Sequence, residues 1–124
     1  MSGLRHVTVD LPEPPSANRW WRKWNNRMVL SKEARDYKAF VWVKAVGLTG
    51  LSKSRFPLFP TEDVRVTLHW VRGRKSGDLD KRIGVALDSL QGILYANDKQ
   101  VVEIHAHRSD DKANAGLRVT VEAL

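Results

Sequence analysis

The stretch GDLDKRIGVALDSLQGILYAND, Gly77 to Asp98, limits the fold more than any other part of the chain. Asp78-Leu79-Asp80 reads as extended, and residues two apart on an extended segment face the same side. Both carboxylates can then address one point while Leu79 turns inward. A helical pattern follows. Ile83, Ala86, Leu87, Leu90 and Leu94 recur as one apolar stripe, with Gly92 as a stop signal. Lys81, Gly84 and Asp88 fall on the polar face. Asn97-Asp98 reads as a turn that brings back a third carboxylate.

Three carboxylates at element ends suit a hard cation such as Mg²⁺, which takes oxygen ligands and keeps several waters. Such a cation suits phosphoryl chemistry. A plainer reading stays open on spacing alone: Asp80 caps a helix, Asp98 forms a turn and Asp78 is solvated.

The rest of the composition narrows the partner. The net charge is +7, which implies a polyanionic partner. A hydrophobic content of 42% with five Trp excludes a disordered chain, and 124 residues suffice for a single domain, 1–124, with a small core. The absence of Cys excludes disulfide and thiol chemistry. No apolar run reaches membrane-spanning length, and no secretory pattern opens the chain, so a cytoplasmic protein with no membrane partner is expected.

Taken in order, Val7–Leu11 alternates as a strand and Pro12, Pro14 and Pro15 end it. The next segment, Ser16 to Arg27, carries Arg19, Arg22, Lys23, Arg27 and three Trp with no acid. Basic residues neutralise phosphates and aromatic faces stack on bases, so Asn18, Arg19, Trp20, Arg22, Lys23 and Arg27 are candidate DNA contacts. A loop pinned to the core by its Trp side chains is the alternative, and the two can coexist. Ser31 caps a helix expected over Lys32–Val46, with Ala34, Tyr37, Val41 and Ala45 buried and Gly47 as its stop. Phe40 and Trp42 lie off that stripe and would widen the core or make a subunit contact.

Residues 48–60 read as a loop. Val64, Val66, Leu68 and Trp70 alternate as a strand that leads into the basic run Arg72-Gly73-Arg74-Lys75, a candidate phosphate clamp together with Arg82. Val102, Ile104 and Ala106 mark a third strand, whose Glu103, His105 and His107 form a solvated face or, less simply, a metal site. Asp110–Gly116 reads as a turn, and Val119, Val121 and Ala123 as a fourth strand. The order β-α-β-α-β-β predicts an α+β fold, a small mixed four-stranded sheet with two helices on one face.

DLDKRIGVALDSLQGILYANDKQV resembles the signature of the RusA family of Holliday junction resolvases, in which a D-x-D-N-x-x-K segment opens a helix and an aromatic-x-D-D-x-Q-V segment follows. LPEPPSANRWW and SKEARDYKAFV resemble the family's opening and next helix. The resemblance implies a RusA-like fold and a homodimeric, Mg²⁺-dependent endonuclease, with Mn²⁺ substituting, that cuts four-way DNA junctions. It assigns metal binding to Asp78, Asp80 and Asp98. Such proteins serve DNA recombination and repair and are commonly of phage or prophage origin.

Two positions depart from the pattern. Asn97 stands where many members have Asp, and Gly84 stands where the family has an essential Lys. Lys81, one helical turn earlier, is the expected substitute as a catalytic cation, with Arg82 and Lys75 behind it. The rival functions are a nuclease for other branched or flapped DNA and a branched-DNA-binding module that has lost catalysis, which Gly84 favours. Clustered carboxylates argue against the binding module, because they would repel DNA.

Overall fold

The computed structural model describes residues 5–50 and 55–124. The chain runs β1 (His6–Leu11), β2 (Trp21–Trp24), β3 (Arg27–Leu30), α1 (Lys32–Thr49), β4 (Val64–Arg72), α2 (Asp80–Leu90), β5 (Val101–Asp110) and β6 (Gly116–Ala123), with short 3-10 turns between. This is the expected α+β arrangement. The four-stranded sheet has the order β1-β6-β4-β5, and β2-β3 forms a separate two-stranded ribbon. β4 and β5 run parallel, whereas β6 runs antiparallel to both β4 and β1. β1, β4 and β5 therefore all end at one edge of the fold.

Alternation sets the core. Val7, Val9 and Leu11, then Val64, Val66, Leu68 and Trp70, then Leu117, Val119 and Val121 all point to the helix-covered face and are buried. Ala34, Tyr37, Val41 and Ala45 of α1 meet them there. The opposite face carries polar side chains: Arg65 donates to Glu103 at 3.0 Å, and the His69 and His107 rings stack at 4.3 Å. Among the described residues no three His, Asp or Glu side chains are gathered on this face.

Several expectations need correction. The basic segment is not all loop. Asn25 and Asn26 take φ of 49° and 59°, the left-handed pair that closes a two-residue hairpin, and Trp24 pairs with Arg27 across it. α1 passes through Gly47 and runs to Thr49. Its stop is Gly50, at φ 67°, whose N–H reaches Val46 O at 2.9 Å. Part of the 48–60 loop, residues 51–54, lies outside the described residues. Trp42 packs on Phe56 with ring centroids 4.9 Å apart, so it widens the core.

α2 differs in a way that matters for the site. Its cap residue, Leu79, is already helical at φ −59° and ψ −43°, and Asp80 is the first helical residue rather than the cap. The extended geometry expected for Asp78-Leu79-Asp80 is therefore absent. The buried face is Val85, Ala86, Ser89 and Leu90, with Ile83 and Leu87 half-buried at its margins. Leu94 is buried as expected, but in the turn that follows the helix.

Candidate active site and nucleic-acid interface

At the edge where β1, β4 and β5 end, Arg72 fixes the backbone. It is buried, donates to both oxygens of Asp110 at 2.6 and 2.9 Å, and donates to Gly77 O at 3.1 Å. All three nitrogens of that guanidinium donate within the protein and the side chain is buried, so Arg72 positions the loop before Asp78 rather than facing a phosphate. Arg74, Lys75, Asp78, Asp80 and Lys81 are exposed beyond it. No hydrogen bond or ion pair engages the Asp78, Asp80 or Lys81 side chains among the described residues.

Asp98 lies elsewhere. Its N–H donates to Gln91 Oε1 at 3.0 Å, and Gln91 closes the far end of α2. α2 has 11 residues, which puts its ends about 15 Å apart. The parallel crossover agrees, since Asp98 precedes β5, whose first residue Val101 pairs with Val64 at the start of β4. Asp78 follows the end of β4. One chain thus sets Asp78 and Asp80 at the start of α2 and leaves Asp98 at its opposite end. The turn does not bring the third carboxylate back, and no three-carboxylate group forms among the described residues.

The turn at Asp98 is firmly built. Asn97 Oδ1 accepts from Lys99 N–H at 2.9 Å, and Gln100 Oε1 accepts from Asn97 N–H at 2.9 Å, a reciprocal cap. Gln100, buried, also donates to Phe59 O and Glu62 O, both at 2.8 Å. Asn97 therefore has a structural task where the family pattern has Asp. Gln100 holds the backbone of this turn, and the signal for it in the sequence is the capping pattern Asn97-x-x-Gln100.

The basic segment divides. Trp20 is 2% exposed, donates Nε1–H to Asp88 Oδ2 at 2.8 Å and meets Tyr37 edge-on. It is a core residue and cannot stack on a base. Trp21 and Trp24 are each 48% exposed on the hairpin, together with exposed Arg22, Lys23 and Arg27. Arg27 lies 6.0 Å from the Trp24 ring centroid. Asn18 and Arg19 are exposed in the 3-10 turn before the hairpin, and Arg19 pairs with Glu33 at 3.3 Å.

Ion pairs also set the acid response. Arg72 holds the Asp110 carboxyl below its ordinary 3.8, Arg118 does the same for Asp10, and Arg65 holds Glu103 below 4.5. Burial, then the charges of His107 and Arg118, lowers His69 below 6.5. All four groups bind protons more weakly folded than unfolded, so their stabilisation is complete above the unfolded values and is lost as pH falls through the folded ones. The thermal midpoint should drop slightly below about pH 6.5 and further below about pH 4.5, by a modest amount because these pairs are largely exposed. Asp110→Asn should remove part of the second drop. A midpoint that rises on acidification would contradict this.

A mixed sheet with acids and bases massed at its strand ends defines a small α+β domain suited to a polyanion. A family model described as Endodeoxyribonuclease RusA matches residues 12–122 of the 124. The chain belongs to the RusA endodeoxyribonuclease family, and its class is that of the DNA-cutting hydrolases. A comparison with curated proteins gives no match. No helix among the described residues is long and apolar enough to cross a membrane.

Proposed function

We propose that the protein is a homodimeric, Mg²⁺-dependent nuclease that cuts four-way DNA junctions by paired phosphodiester hydrolysis. The observation that carries this reading beyond the family is the separation of Asp98 from Asp78 and Asp80. Within one chain the three do not fit a single ion. Two copies with their α2 helices antiparallel would set Asp78 and Asp80 of one against Asp98 of the other, twice, about a two-fold axis. Gly84 supports that packing. It lies near the middle of α2, is exposed, and has open space where a Cβ would stand. Glycine costs about 1 kcal/mol in a helix, a cost that close approach of a second helix would offset. Val102 and Ile104, on the edge strand beside the crossover, are also exposed.

In this reading the paired carboxylates hold Mg²⁺, or Mn²⁺ in its place, which would supply an activated water and charge stabilisation. Lys81 extends from the exposed side of the first turn of α2, on the same face as position 84, and neutralises charge at the scissile phosphate. The hairpin residues Arg22, Lys23 and Arg27, with Trp21 and Trp24, hold the arms of the junction. Arg22→Ala and Lys23→Ala should each reduce the slope of log affinity against log salt by about 0.9. Unchanged slopes would remove the hairpin from the interface. The test of the function is a labelled four-way junction incubated with and without Mg²⁺, beside linear duplex and flap controls. Cutting confined to the junction supports resolution, and equal cutting of flaps makes it a general branched-DNA nuclease. Tight binding with no cutting in either metal makes it the inactive binding module.

A further inference from the structure

A cavity of about 720 Å³ opens where the ends of β1 and β4 meet the first turns of α1 and α2. Pro12, Tyr37, Phe40 and Trp70 give it apolar walls, and Arg74 and Arg82 line it beside them. The acids at its rim are already engaged. Glu13 accepts from Trp70 Nε1–H at 3.0 Å and from Gly73 N–H at 3.2 Å, Glu33 pairs with Arg19, and Asp36 pairs with Lys32 at 2.8 Å.

Arg82 is left over. Its guanidinium lies 4.8 Å from the Trp70 ring centroid, and its Nε and Nη1 are buried with no hydrogen-bond partner among the described residues. Gly77 makes room for this stack: at φ +98°, a Cβ there would stand 3.0 Å from Arg82 Nη2 and 3.1 Å from Trp70 Cη2. The Nε and Nη1 nitrogens are sealed from solvent, so a phosphate in the cavity would meet the guanidinium at Nη2, in a charge-assisted bond. Burial lowers the proton affinity of Arg82, yet a guanidinium stays charged.

Apolar walls beside a guanidinium that makes no hydrogen bond or close ion pair among the described residues suit a ligand with both an anion and a flat ring. The volume lies within the range of about 300–1,000 Å³ typical of small-ligand sites. A duplex is too thick to enter, whereas a nucleotide turned out of its stack is of the right size. The carboxylates that act electrostatically on Arg82 are Glu13 first, then Glu33 and Asp78, and of these Glu13 and Glu33 line the cavity.

We propose that this cavity takes one unpaired nucleotide of the branched substrate, its phosphate on Arg82 and Arg74 and its base against Phe40 and Pro12. The proposal rests on the reading of the protein as a branched-DNA nuclease and says where one nucleotide of its substrate sits.

The test titrates the full chain with thymidine 5′-monophosphate, thymidine and inorganic phosphate in turn, following tryptophan fluorescence. The monophosphate should bind saturably. Thymidine and phosphate should each bind at least about tenfold more weakly, a difference of 1.4 kcal/mol. Arg82→Gln should lose the monophosphate response. Phe40→Ala, at a residue 45% exposed, should weaken the monophosphate and leave phosphate unchanged, and it keeps the test available if Arg82→Gln fails to fold. No saturable binding of the monophosphate, or phosphate binding as tightly, overturns the nucleotide cavity. Junction cleavage measured on the same preparation separates the two readings. A wild-type protein that cuts junctions without binding the monophosphate sinks the cavity alone. One that binds it through Arg82 and cuts no DNA sinks the nuclease reading and with it the branched substrate.

Discussion

Asp78→Asn, Asp80→Asn and Asp98→Asn should each lower junction cleavage by a factor on the order of 10³ or more, while junction affinity is kept or raised. All three carboxylates are exposed, and none is tied up by a hydrogen bond or ion pair among the described residues. Losing a charge there costs little folding free energy, within about 0.5 kcal/mol for Asp78 and Asp98. Asp80 sits in the first turn of α2, where a negative charge favours the helix, so its replacement costs up to about 1 kcal/mol. The turn at Asp98 survives, because Gln91 holds the backbone N–H of that residue and not its side chain. Each variant also removes a negative charge that repels phosphates. Thermal midpoints, junction affinity and cleavage rates measured together check this. Turnover near wild type in any one variant would remove that carboxylate from the site.

The largest stability effect should come from Trp20→Ala, at about 3–5 kcal/mol, measured by urea unfolding. The indole is 2% exposed, and its loss opens a cavity between the 3-10 turn and the helices that neighbouring groups cannot fill. Trp20→Phe keeps most of the volume and loses the N–H bond to Asp88. It should cost about 1 kcal/mol, since the Asp88 side chain, 38% exposed, can turn to water or to Lys38 at 3.9 Å. The matching substitution at exposed Trp24 should leave stability within about 0.5 kcal/mol and weaken DNA binding instead. Equal destabilisation at both positions would contradict the division between a core and a surface tryptophan.

That division marks how far residue types could be read. Period-two alternation in β1, β4 and β6 fixed both their existence and their inward faces, because a buried sheet face leaves a local trace. The α1 stripe of Ala34, Tyr37, Val41 and Ala45 was legible for the same reason. Arg72 was not, since its partner Asp110 is distant in sequence and only parallel pairing of β4 with β5 sets them together. Trp20 and Asp88 meet in the same nonlocal way. The hairpin did carry a signal in Asn25-Asn26, but its flanks, WRKW and RMVL, lack clean alternation. The misplacement of Asp98 was legible in principle. A helical stripe between Asp80 and Leu90 is itself a spacer, and a carboxylate before it and one after it lie a helix length apart.

Mixing two inactive variants tests the shared site most directly. Asp78→Asn and Asp98→Asn proteins, unfolded together and refolded, would form about one half mixed dimers. In a mixed dimer with sites shared between chains, one site carries both substitutions and the other carries neither. About a quarter of the wild-type sites should return, read as single nicks in a labelled four-way junction where wild type makes paired cuts. If all three carboxylates served a site within one chain, every site in the mixture would still lack one of them. A mixture as inactive as its two components, with mixed dimers shown to be present, would contradict the shared site.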